Sequence, residues 1–195
     1  MAKLDKFTIK AQEALMEAQE IASARNQQQV EVEHLFLALL RQEGGTVPAL
    51  LRKLGADVEM LIADVEREAE KLPRVYGTSG QLGQIYISPR LNQILDMAWR
   101  EAEAMKDMYI STEHLFLALA EEKSGPTAEI LRAHGVDRNL ILKALAEVRG
   151  TQRVTDQAAE ERYQSLERFS RDLTDLARRG KLDPVIGRDA EIRRV

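Results

Sequence analysis

The chain has 195 residues, 44% of them hydrophobic and 31% charged, a size that supports one buried core of about 150 residues and an appendage. With no cysteine and three histidines, it excludes disulfides, thiol chemistry and zinc sites built from Cys and His. A formal net charge of -4 and 5% aromatic residues speak against a nucleic-acid binder. No apolar run approaches the roughly 18 residues of a membrane span, and MAKLDKFTIK lacks the apolar stretch of a signal peptide, so a cytoplasmic setting away from membranes is expected.

In chain order, Thr8 is placed to cap a first helix, along which Ile9, Leu15, Met16, Ala18, Ile21 and Ala22 leave the polar residues on the opposite side. After a turn near Asn26 to Gln29, a second helix is predicted over 33–42. Its Leu35, Phe36, Leu37, Leu39 and Leu40 are apolar on several sides, which makes it central, and Gly44 and Gly45 end it. A third helix runs from Pro48 to Leu54 and stops at Gly55. Asp57 then caps a fourth that carries Met60, Leu61, Ile62 and Val65 toward Leu72. The stretch LPRVYGTSGQLGQIYIS reads as a surface crossover, with Ile85 and Ile87 able to tuck back onto the core.

The plan then repeats. Ser88 and Pro89 open a new helix, the proline at a first helical position where a missing N–H costs nothing. Shifting the sequence by 80 lays EHLFLAL of 33–39 on EHLFLAL of 113–119, and Gly45, Leu51, Arg52, Gly55 and Asp57 on Gly125, Leu131, Arg132, Gly135 and Asp137. Twelve identities in 25 ungapped positions make this a duplication, with units at about 7–72 and 87–150. The expected fold class is all-α, a duplicated four-helix unit of about eight helices in two pseudo-twofold halves.

Past Gly150, TQRVTDQAAEE has no apolar stripe and reads as a flexible linker over 151–161. From Arg162 a separate element is expected. Tyr163, Leu166, Phe169, Leu173 and Leu176 fall at spacings of three and four on an amphipathic helix closed by Gly180, and its partner surface is not obvious in the 15 residues that follow.

The duplicated EHLFLAL unit and the tail GKLDPVIGRDAEIRRV together resemble the Clp family of AAA+ ATPases, and the likeness spans essentially the whole chain. Residues 1–150 resemble its Clp repeat N-terminal domain. LDPVIGR at 182–188 resembles the sequence that opens the first AAA+ nucleotide-binding module, so 162–195 reads as the cut-short start of that module. The connector at 72–77 and the stretch from Tyr163 onward look most like the ClpB disaggregases, whereas VIGR alone would fit the ClpA and ClpC unfoldases of the ClpP protease equally.

The resemblance implies a substrate-engaging domain of an ATP-driven homohexamer, using ATP and Mg when full length, that pulls unfolded or aggregated proteins through a pore with the DnaK chaperone system. It further implies that Val185 and Ile186 contact adenine in the full-length protein. In related modules a polar trio matching Thr8, Asp107 and Glu113 is associated with substrate handling. Thr8 has an equal claim as a helix cap, and Glu113 as a partner of the helix dipole.

No catalytic function is expected of the chain itself. The pattern GxxxxGK[ST] is absent, since Gly180 and Lys181 are followed by Leu182 and preceded at the required spacing by Asp175. A monomer without bound nucleotide is therefore expected. His34 and His114 recur through the duplication and fit hydrogen-bonding roles at helix starts better than a metal or catalytic set. Trp99, with Met97, Met105, Met108 and Tyr109, is either an adaptable client patch or the completion of the second unit's core.

Overall fold

The computed structural model describes residues 4–75, 85–150 and 152–160. The amphipathic segment from Tyr163, and Val185 and Ile186, lie outside the described residues. Among the described residues, eight α-helices follow in two sets of four. The first set is α1 (Ile9–Ala24), α2 (Val32–Arg41), α3 (Thr46–Lys53) and α4 (Val58–Glu70); the second is α5 (Pro89–Ala104), α6 (Thr112–Ala120), α7 (Thr127–Ala133) and α8 (Arg138–Arg149).

Local chemistry sets the helix starts. The Thr8 hydroxyl accepts from Ala11 N–H at 3.2 Å, and at the equivalent place Ser88 accepts from Leu91 N–H at 3.1 Å. Asp57 and Asp137 cap α4 and α8 in the same way. Gly55 and Gly135, at φ of +79° and +72°, end α3 and α7 in the left-handed region where a Cβ would be strained.

The two EHLFLAL helices sit at the centre. Val32 to Leu40 of α2 and Thr112 to Leu119 of α6 are buried without interruption, which is why their sequences are apolar on several sides rather than along one stripe. α1 lies along α2, α5 along α6, and the two central helices meet. Phe7, Phe36, Phe116, Leu35, Leu115 and Ile94 belong to one continuous core that both repeats fill.

The structure adds something that the helical periodicity does not contain. Strand β1 (Gln29–Val30) pairs in parallel with β2 (Tyr86–Ile87), with Val30 opposite Ile87, and Phe7 bridges Ile110 at the positions shifted by 80. Each repeat thus lends its entry residues to the other, and the halves are interlaced rather than adjacent. Ile85 packs against the core as anticipated, but Ile87 is half-exposed.

The expectation of a flexible linker over 151–161 is corrected for its described part. Residues 152–160 lie against the helices: Val154 and Ala159 are buried with Tyr109, Met108 N–H donates to Val154 O at 2.9 Å, and Ile9 N–H donates to Gln157 O at 2.9 Å. The polar composition misled because main-chain and side-chain hydrogen bonds and two small apolar residues, Val154 and Ala159, hold the segment, and none of these leaves a periodic apolar signal.

Candidate functional site

Each EHLFLAL helix begins with the same histidine device. His34 Nδ1 accepts from Glu31 N–H at 3.0 Å, and His114 Nδ1 accepts from Ser111 N–H at 3.0 Å, which leaves Nε2 as the donor in both rings. His34 Nε2 then faces Gln27 Oε1 at 2.6 Å, and His114 Nε2 faces Asp107 Oδ2 at 3.0 Å. Gln27 and Asp107 occupy equivalent places in the repeats, and from here the halves diverge.

In the first half the device is neutral. Gln27 Nε2 donates to Ala69 O at 2.8 Å and Leu72 O at 3.3 Å, closing the end of α4. In the second half the amide is replaced by a carboxylate that accepts from Arg149 of α8 and, at 2.9 Å, from Val154 N–H. Burial alone would raise the Asp107 pKa, but His114, Arg149 and the Val154 N–H outweigh it and hold the group at about 2.

A second asymmetry concerns the glutamates that precede the histidines. Glu33 is bound by Arg90 at 2.9 Å, and the same guanidinium reaches Glu122 at 2.7 Å. The counterpart of Arg90 in the first repeat is Lys10, which pairs instead with Glu13 on the surface at 2.8 Å. Glu113 is consequently left buried with neither carboxylate oxygen hydrogen-bonded, its nearest ion-pair contact being Arg149 at 3.8 Å. A buried carboxylate without hydrogen bonds is costly.

Glu160 enters this place from the segment after α8. Its Oε1 accepts from Thr112 N–H at 2.7 Å and from the Thr112 hydroxyl, and the Thr8 hydroxyl is turned toward the same carboxyl. Burial first, and then the charge of Glu113, raise the Glu160 pKa to about 7.

The structure thus brings Thr8, Asp107 and Glu113 into one buried cluster between the start of α1, the 105–112 turn and the start of α6, covered by residues 152–160. Thr8 also serves as the cap, so the two readings of that residue are compatible. Arg149, Val154 and Glu160 belong to the same cluster and escaped sequence reasoning. The mismatch of Lys10 with Arg90, and of Gln27 with Asp107, under the 80-residue shift was the available signal. Of the methionine and aromatic patch, Met97 and Met105 pack against the core and Tyr109 covers Val154, while Trp99 at 39% and Met108 at 63% remain exposed.

Ser111, His114 and Asp107 form a chain that superficially resembles a hydrolytic triad, with Ser111 Oγ at 2.8 Å from His114 Nδ1. Two facts argue against that chemistry. Ser111 and His114 are fully buried, and Glu31, His34 and Gln27 build the same geometry in the other half with neither Ser nor Asp. The arrangement starts a helix. Among the described residues no group of three His, Cys, Asp or Glu side chains is arranged to hold a metal, and no helix is long and apolar enough to cross a membrane.

Comparison with known proteins agrees with this architecture. Over 193 residues the chain is 48% identical to the chaperone protein ClpB of Nitratidesulfovibrio vulgaris, and over 192 residues it is 43% identical to ClpB of Bacillus cereus; each match covers 98% of this chain and 22% of the relative. The chain therefore spans about a fifth of the length of these curated relatives. The Hsp104 N-terminal domain of Candida albicans has the same fold, with a TM-score of 0.68 at 24% identity over 80% of this chain and 99% of that one. The ClpV N-domain solved with a VipB peptide superposes with a TM-score of 0.57 at 22% identity, over 72% of this chain and 85% of that one. Since the Clp repeat (R) N-terminal domain family matches residues 6–134, more than half of the sequence, this chain belongs to that family.

Proposed function

We propose that the chain is the client-engaging N-terminal domain of a ClpB-type ATP-dependent disaggregase, and that the cleft of Thr8, Asp107 and Glu113 takes extended segments of unfolded protein. The observation that carries this reading is Glu113, fully buried and without a hydrogen-bond partner at the point where the duplication loses its symmetry. Asp107 and the Met108 and Ile9 amides, which here bind the backbone of Val154 and Gln157, offer an acceptor and donors to a polypeptide backbone, a mode of recognition that tolerates many side chains. A peptide-bound ClpV N-domain of the same fold supports a peptide as the class of ligand.

In this reading residues 1–150 form the client module and 162–195 open an AAA+ nucleotide-binding module, where Val185 and Ile186 contact adenine once the phosphate-binding residues are present. The whole protein would be a cytoplasmic homohexamer that uses ATP and Mg and works with the DnaK system in recovery from stress. The similarity to ClpB proteins over nearly the full chain supports this assignment.

Titration with reduced, carboxymethylated lactalbumin, which cannot refold, and with the folded protein tests the reading by amide NMR. The expected result is selective shifts with the unfolded form at Thr8, Asp107 and Glu113. Shifts with neither form would exclude client capture and turn attention to adaptor docking of the ClpC or ClpA type.

A further inference from the structure

The cluster proposed above as the client cleft is covered by the chain itself. Residues 152–155 cross it without regular secondary structure and residues 156–160 bend and turn, and the contacts of the segment run largely through its backbone. Both main-chain groups of Val154 are engaged, its N–H by Asp107 Oδ1 at 2.9 Å and its carbonyl by Met108 N–H at 2.9 Å. Gln157 O accepts from Ile9 N–H at 2.9 Å, one residue after Thr8, and Gln157 Nε2 donates to Asp5 O at 3.1 Å. The Val154 side chain fills an apolar seat beside Tyr109, and Glu160 reaches Thr8, Thr112 and Glu113. The three residues assigned to client handling are thereby all covered by one strap.

The occupant fits the backbone donors and acceptors well and the charge badly. Glu113, which has no hydrogen-bond partner, faces another carboxyl group, and Glu160 Oε2 also lacks a partner. A permanent structural element would place a neutral or basic side chain opposite Glu113, as Arg90 is placed opposite Glu33 in the other half. A self-mismatched segment is instead suited to being displaced.

We propose that residues 152–160 are a tethered strap that fills the domain's own client cleft and competes with extended polypeptide for it. The displacing ligand is a stretch of unfolded chain with an aliphatic side chain for the Val154 seat and a neutral or basic side chain near Glu113. This rests on the reading of the cleft as the client site. Tethering gives the strap a high local concentration, so only clients that bind several times better in the cleft open it, and the domain is kept from holding weak ligands.

The test uses the full 195-residue chain and reduced, carboxymethylated lactalbumin at pH 7.5. Val154→Asp should release the strap, abolishing exchange protection at the Met108 and Ile9 amides while core amides of α2 and α6 stay protected. A strap docked nine-tenths of the time raises the apparent Kd about tenfold, so V154D should bind the client up to about tenfold more tightly. Glu160→Gln removes the charge mismatch, tightens the strap and should weaken client binding several-fold. Unchanged affinity in V154D, with client shifts still at Thr8, Asp107 and Glu113, overturns the strap and leaves the client site standing. Retained protection at Met108 and Ile9 in V154D means a strap that does not come off, which also overturns the proposal. Absence of client shifts at the cleft in every form overturns both.

Discussion

At the scale of single residues, two buried ionisable groups give the protein opposing responses to pH. Burial, then the charge of Arg25, lower the His34 pKa to about 4. The folded state therefore binds fewer protons than the unfolded one between 6.5 and 4, and the stability conferred is present above 6.5 and lost as pH falls through 4. Full expression of that difference is on the order of 3 kcal/mol. We expect the melting temperature to fall between pH 7 and pH 4, and His34→Gln, though less stable at neutral pH, to flatten that slope in calorimetry.

Glu160 acts in the other direction, since its pKa rises from 4.5 to about 7 on docking. Strap binding is fully favoured below 4.5 and is lost as pH rises through 7. The groups facing it are Glu113, which opposes its ionisation, Arg149 beyond Glu113, and the Thr8 and Thr112 hydroxyls, which favour it. Protection of the Met108 amide should accordingly decline from pH 5 to pH 8 relative to core amides, and Glu160→Gln should remove the dependence. Thr8 was legible as a cap and Glu113 as an acid at a helix start. The missing partner of Glu113 was not, because it depends on which cation of the other repeat reaches across.

At the scale of elements, helix existence and most boundaries were written in the caps and glycines. Thr8, Asp57, Ser88 and Asp137 start α1, α4, α5 and α8 where the sequence places them, and Gly55 and Gly135 stop α3 and α7. The central role of α2 and α6 was equally legible, because a helix apolar all round must be surrounded. Phe116→Ala should cost about 3 to 5 kcal/mol in urea unfolding, since the ring is fully buried in α6. Met60→Ala, at 59% exposure on α4, should change stability by less than about 0.5 kcal/mol in the same experiment. The two-residue strands and the strap were not legible. Elements that short have no period, and their hydrogen-bond partners lie from about 45 to about 150 residues away in sequence.

At the scale of the molecule, Arg90 is the most buried charged link between the repeats, beside the more exposed pairs Lys53–Glu147 and His134–Asp64. Lying on α5, it binds Glu33 of α2 and Glu122 beyond α6, both with side chains at most 3% exposed. Arg90→Ala leaves two buried carboxylates unpaired and should destabilise the whole core by about 3 to 5 kcal/mol in denaturant titration, with both repeats unfolding together. Gly125 belongs to the same arrangement, since a Cβ there would collide with the Arg90 guanidinium.

The sequence by itself determined the duplication, the helix count, the central pair and the family, because these rest on local propensity and on a repeat that can be aligned with itself. It also contained the three residues of the cleft, recognised through resemblance rather than through their spacing. Only the tertiary structure decided that the halves are interlaced, that Glu33 is neutralised while Glu113 is not, and that residues 152–160 cover the cleft. Each of these is set by long-range burial and pairing of polar groups, whose energy depends on which partner arrives across the core and leaves no trace in the periodicity of either segment.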